Sequence, residues 1–100
     1  MNVYKQTEKA LRVYGELKRT NTAGGDATRE FMERIAGALS QLPTNEQYTL
    51  QNIYMLGMTQ EEAAFQGECD VSTISRRKVR ALERVALMLF PDQYINEKGL

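Results

Sequence analysis

Apolar residues at the start of the chain recur at helical rather than strand spacing. Val3, Tyr4, Ala10, Leu11, Val13, Tyr14 and Leu17 fall on one side of a helix drawn over residues 2–20. Thr20 to Gly25, TNTAGG, breaks the pattern as a flexible link. Asp26 is placed to cap a second helix reaching about Gln41, with Phe31, Met32, Ile35, Ala36, Ala38 and Leu39 as its stripe. Leu42-Pro43 ends it, because the residue before proline avoids the helical region. A third helix runs from Thr44 to about Leu56, with Thr44 and Gln47 at capping-box spacing and Gly57 as the stop. Its apolar positions are Tyr48, Leu50, Ile53 and Tyr54, and both tyrosines read as core residues rather than stacking platforms.

The stretch from Thr59 to Arg84 then reads as two helices around a tight turn. Thr59 and Glu62 form a capping box, and Ala63 and Ala64 are small enough for close helix packing. Gly67 to Cys69 breaks the first helix, and Asp70 is placed to cap the second. That second helix continues to Phe90, where Pro91 ends it. Val85 to Phe90, VALMLF, is apolar on every side and must be covered, either by the N-terminal helices or by a second subunit. The second alternative predicts a homodimer through Val85, Leu89 and Phe90. Residues 91–100 read as irregular or as one short turn. The predicted fold class is all-α, as one compact domain. A helical pair over 1–41 precedes a helix-turn-helix module over 42–90, with a tail over 91–100.

Formal charge is zero, with 13 basic and 13 acidic residues, so any nucleic-acid signature has to be local. Residues 71–84 hold five basic residues (Arg76, Arg77, Lys78, Arg80, Arg84) against one acidic residue, Glu83. Residues 1–20 hold five basic against two acidic, and residues 42–70 hold no lysine or arginine. Segregated basic charge on one helix is what a DNA-facing surface needs. The basic N-terminal helix is either a second DNA contact or the polar face of a packed helix.

There is one cysteine and no histidine. An intrachain disulfide and a Cys/His zinc site are therefore excluded, and a reducing cytoplasm is the expected setting. Cys69 reads as a small buried turn residue rather than a redox switch. No apolar run is long enough to cross a bilayer, so no membrane contact is expected. An enzyme is not expected either. The lone cysteine has no base partner, no glycine-rich phosphate loop is present, and the adjacent Glu61 and Glu62 point in different directions on a helix. No cofactor is expected.

If Asp70 caps the second helix of the pair, Val71, Ser72, Ser75 and Arg76 fall on its exposed N-terminal face. Arg76 is the expected base contact, since its fork matches the two acceptors of guanine; Val71 suits a thymine methyl, and Ser72 and Ser75 suit either base type. Arg77, Lys78, Arg80 and Arg84 are expected phosphate contacts. Ordinary surface charge is the alternative for Lys78 and Arg84, and a pairing with Glu83 is the alternative for Arg80. Thr59 and Gln60 open the supporting helix, whose free backbone donors suit a phosphate.

Leu42, Pro43, Glu46, Leu50, Tyr54, Gly57, Thr59, Glu62 and Ala64, followed by Thr73, Ile74, Arg80, Ala81 and Leu82, stand at spacings that resemble region 4 of the sigma-70 family. The likeness covers about two-fifths of the chain. Gly67-Glu68 stands where that family has Leu-Gly, Cys69 where it has valine, and Asp70 where it has a capping serine. Nothing resembles the parts of a sigma factor that melt DNA. With two helices ahead of the module, the plan is similar to small phage late-gene regulators of the ArpU and RinA type. The resemblance implies a helix-turn-helix that reads duplex DNA, a transcriptional role, and RNA polymerase as a further partner. Two other functions remain: a protein-binding adaptor or inhibitor directed at the transcription machinery, and a small-terminase-like packaging protein.

Overall fold

A computed structural model describes residues 2–20 and 24–99. They form α1 (Val3–Thr20), α2 (Asp26–Ser40), α3 (Thr44–Leu50), a π-helical continuation of α3 (Gln51–Met55), α4 (Gln60–Gln66), α5 (Val71–Leu89) and α6 (Pro91–Lys98). The class is all-α, with no strand among the described residues. Part of the expected break, Asn21 to Ala23, lies outside those residues. No helix is long and apolar enough to cross a membrane among the described residues.

α5 is the axis of the fold, and every other helix packs against it. Ile74, Ala81, Leu82, Val85, Ala86 and Leu89 are its buried side. The main core joins Leu82, Val85 and Leu89 to Leu11 and Tyr14 of α1, Ile35 and Leu39 of α2, Leu50 of α3 and Tyr54 of the π segment. Burying each large aliphatic side chain contributes about 1.5–3 kcal/mol. A smaller core of Ala63, Ala64 and Ile74 fastens α4 to the start of α5.

This packing decides between the two ways of covering VALMLF. Val85 and Leu89 are buried inside the chain, and Phe90 is half-buried against the same core. The expected homodimer surface through Val85, Leu89 and Phe90 is therefore corrected, because α1 and α2 occupy it. Only Leu87 and Met88 of the segment remain exposed.

Several local expectations are corrected. Val13 and Tyr48 are exposed, not core. The inward side of α1 is Val3, Thr7, Leu11 and Tyr14, with the Thr7 hydroxyl satisfied by the Val3 carbonyl at 2.8 Å. On α3 the inward side is Glu46, Thr49 and Leu50, which turns Tyr48 outward. Asp26 and Thr44 are first helical residues, and Gly25 and Pro43 hold the cap positions. The Gln47 amide donates instead to the carbonyls of Ser40 (3.3 Å) and Leu42 (3.0 Å).

The tail is a helix. Pro91 starts α6, with its fixed φ suited to a first helical position and no N–H to leave unpaired. Gly99 closes it at φ 72°. Glu97 of α6 accepts from the Val3 N–H through both carboxylate oxygens, at 3.0 and 2.9 Å. A carboxylate thus sits on the positive end of α1 and ties the tail to it.

The π segment is held from outside. Arg19 donates to the carbonyls of Tyr54 (3.1 Å) and Met55 (2.7 Å). Gly15 lets α1 approach, since a Cβ there would overlap the Tyr54 carbonyl oxygen. Gly57, at φ 72°, then reverses the chain as expected, and the Met58 N–H reaches the Asn52 carbonyl at 2.9 Å.

Candidate nucleic-acid interface

α4 begins with the capping box foreseen from its sequence. Thr59 Oγ1 accepts from the Glu62 N–H and Glu62 Oε1 from the Thr59 N–H, both at 3.1 Å. These bonds use two of the donors at that helix end, and the exposed Glu61 and Glu62 add negative charge there. Thr59 is exposed and Gln60 half-buried.

The turn ends α4 with a Schellman motif. The Cys69 N–H reaches the Ala64 carbonyl at 3.0 Å and the Glu68 N–H the Phe65 carbonyl at 3.2 Å. Glu68, not glycine, takes the left-handed position at φ 54°, while Gly67 has an ordinary φ of −85°. The glycine stands one residue too early. Asp70 has the extended backbone of a cap, but its side chain makes no capping hydrogen bond. Its carbonyl instead accepts from Thr73 (3.0 Å) and Ile74 (3.2 Å).

Because α5 buries Ile74, Ala81 and Leu82, its opposite side faces outward. Ser72, Arg76 and Arg80 are four residues apart, exposed, and lie on one ridge. Val71 is 40% exposed at the end of the helix, and Ser75 is half-buried beside it. The Arg76 guanidinium reaches Thr73 Oγ1 at 3.4 Å. No carboxylate pairs with Arg76, Arg77 or Arg80 among the described residues, and Glu83 pairs with Lys98 (3.9 Å) rather than Arg80.

The other two cations of α5 each stand beside a glutamate, Lys78 largely covered and Arg84 with 55% of its side chain exposed. Lys78 turns toward α1, its side chain only 19% exposed, with Nζ 3.6 Å from Glu8 Oε2. Arg84 Nε lies 3.2 Å from Oε1 of Glu46, whose side chain is 6% exposed. That oxygen is close enough for an ion pair but has no aligned hydrogen bond. Both residues neutralise glutamates, so the basic face is narrower than the sequence suggests.

Sequence reasoning missed the cluster around Glu8. Its Oε2 accepts from the Tyr54 hydroxyl at 2.6 Å and lies 3.8 Å from Arg12. Burial first, and then the bond to Glu8, hold the Tyr54 phenol far above its ordinary value. Tyr4 is also raised, by burial and then by the Glu8 and Glu83 carboxylates. The Glu8–Arg12 spacing is visible in the sequence, but its link to Tyr54 and Lys78 exists only once α1 crosses the π segment and α5. Lys18 lies over the Tyr14 ring, 5.8 Å from its centroid. With Arg12 and Arg19 also engaged, much of the basic charge of α1 serves its own packing.

A cleft of about 390 Å³ opens on the flank of α5, between α3 and α4. Asn45, Tyr48, Asn52, Gln66 and Arg77 line it, above a floor that includes Ala63 and Ile74. The Arg77 guanidinium lies 4.0 Å from Cys69 Sγ, and Cys69 itself is half-buried in the turn as a packing residue. Searches against protein-family models, curated proteins and solved structures found no match.

Proposed function

We propose that the protein is a sequence-specific double-stranded DNA-binding regulator of transcription, with α4 and α5 acting as a helix-turn-helix. The N-terminal half of α5 enters the major groove. The observation that carries this reading is the exposed ridge of Ser72, Arg76 and Arg80, whose arginines have no carboxylate partner among the described residues. Arg76 reads a guanine, Ser72 and Ser75 add polar base contacts, and Val71 meets a thymine methyl. Arg77 and Arg80 bind phosphates. The likeness of Leu42 to Leu82 to sigma-70 region 4 supports a promoter-proximal site and contact with RNA polymerase, and the plan of two helices ahead of that module, similar to small phage late-gene regulators, supports a phage or prophage origin. Lys78 and Arg84 are left out of the interface because each already holds a glutamate.

Selection of sites from a random duplex pool tests this, followed by affinity measurements against salt. A defined motif is expected for the wild type. Arg76→Ala should weaken binding by about 1–3 kcal/mol and relax one position of that motif. Binding that is absent for every duplex, or that stays constant with salt, refutes the reading.

A protein-binding adaptor is the second reading, and a different face favours it. Phe65 on α4 is 87% exposed. Glu61, Glu62 and Glu68, all exposed, flank it at helical or turn spacing. If function survives Arg76→Ala but not Phe65→Asp, this second reading replaces the first.

A further inference from the structure

We propose that the cleft between α3, α4 and α5 holds a backbone phosphodiester of the DNA strand bordering the groove that α5 enters. This rests on the DNA-binding reading above and adds α3 to the interface. Asn45, Tyr48 and Asn52 come from α3 and the π segment, Gln66 from α4 and Arg77 from α5. Among the described residues, the side chains of Asn45, Tyr48, Asn52 and Gln66 make no hydrogen bond to protein, and Arg77 has only the long contact to Cys69 sulfur. Three carboxamides, a phenol and a guanidinium therefore converge with their donors unspent. That is the set of groups that contacts DNA phosphates.

The cleft's charge also suits a phosphate. No carboxylate lines it, so Arg77 is its one formal charge. Arg76 and Arg77 are successive residues and diverge by about 100° around the helix. Arg76 points out along the ridge while Arg77 lines the flank. One helix thereby presents one arginine to a base edge and the next to the adjoining backbone. The fixed arrangement of α3 against α5 would then set the register of the helix in the groove.

The test uses the full chain and its selected duplex, with single methylphosphonates that remove one phosphate charge at a time. At one or two adjacent positions beside the motif, wild-type binding should fall about tenfold. Arg77→Gln should bind the unmodified duplex about tenfold more weakly, with a log K against log salt slope smaller by about 0.9. It should be indifferent to the methylphosphonate at that position and keep the same motif. Asn52→Asp, which places a carboxylate in the cleft, should weaken binding to the unmodified duplex but not to the duplex neutralised there. Melting temperatures of both variants establish that they fold. The inference is overturned if Arg76→Ala loses the motif while Arg77→Gln and Asn52→Asp bind as wild type. It is also overturned if the Arg77 and methylphosphonate losses add at every position. A wild type that binds no duplex overturns the DNA reading itself, and the cleft assignment with it.

Discussion

Replacing Glu68 by glycine should stabilise the protein, although it removes a side chain and touches no core residue. Glu68 holds φ 54° because the Schellman turn requires a left-handed residue between Gly67 and Cys69. That conformation costs a residue with a Cβ about 1–2 kcal/mol. Glycine adopts it freely, but gives back about 0.5–1 kcal/mol through the greater freedom of its unfolded chain. The difference leaves a gain of about 0.5–1 kcal/mol, or about 2–6 °C in melting temperature for a domain of this size. Thermal and urea unfolding followed by far-ultraviolet circular dichroism measure it. Glu68→Ala is the control, since it removes the same charge and keeps the strain. Glu68→Gly should therefore exceed Glu68→Ala in stability by the full margin. Gly67→Ala is the second control. Its φ of −85° suits any residue, but the added Cβ would meet the Ala63 carbonyl oxygen at 3.3 Å, so little gain is expected. Equal stability for Glu68→Gly and Glu68→Ala would refute the reasoning, because it would mean no strain resides at this position.

Gly15→Ala should destabilise by about 1–3 kcal/mol in urea unfolding, since the methyl group cannot share space with the Tyr54 carbonyl unless α1 moves off the π segment. Arg84→Ala should cost more than the double change Arg84→Ala with Glu46→Gln, by about 1 kcal/mol or more, because the single change leaves a buried carboxylate unpaired. Alkali should destabilise the protein through Tyr54. Its folded-state phenol titrates far above the unfolded value, so between the two the folded state binds the extra proton. Stability is then complete below about pH 10 and falls as pH rises beyond it. Tyr54→Phe should reduce that slope, leaving the part that Tyr4 contributes in the same direction, and an unchanged alkaline slope would contradict it.

What was legible in the sequence was whatever lies within one turn of itself. The capping box of Thr59 and Glu62 needs only residues three apart, and the Gly57 stop needs only a backbone without a Cβ. The caps expected at Asp26 and Thr44 stand one residue earlier, at Gly25 and Pro43, while Asp70 holds its expected cap position without a side-chain hydrogen bond. Pro43, with its φ already fixed, takes the cap position of α3, and Gln47 finds two free carbonyls at the end of α2. Pro91 was read as a terminator only, yet a proline that cannot continue one helix is well suited to start the next. Tyr48 shows the limit of counting apolar residues. Glu46 takes the buried side of α3 because Arg84, thirty-eight positions away, compensates it, and no local pattern contains that pairing.

The partition of the basic residues has a measurable consequence that separates the structure from the sequence alone. Under the proposed DNA-binding function, counting charges along α5 gives four candidate phosphate contacts: Arg77, Lys78, Arg80 and Arg84. At about 0.9 per phosphate, these would give a log K against log salt slope near −3.6 for one chain on duplex DNA. The fold withdraws Lys78 to Glu8 and Arg84 to Glu46. Arg77 and Arg80 then remain, for a slope near −1.8, or near −2.7 if Arg76 also releases a counterion. Between 50 and 200 mM salt, a slope of −1.8 is roughly a twelvefold loss of affinity, against roughly 150-fold for −3.6. Titrations of one labelled duplex at four or five salt concentrations distinguish these. Glu8→Gln and Glu46→Gln sharpen the comparison, because each releases a cation held in the fold. Each should steepen the slope by up to about 0.9 if the freed side chain reaches the backbone. A wild-type slope already steeper than about −3.6 would show that Lys78 and Arg84 leave their glutamates for phosphates, and the narrow interface would be wrong.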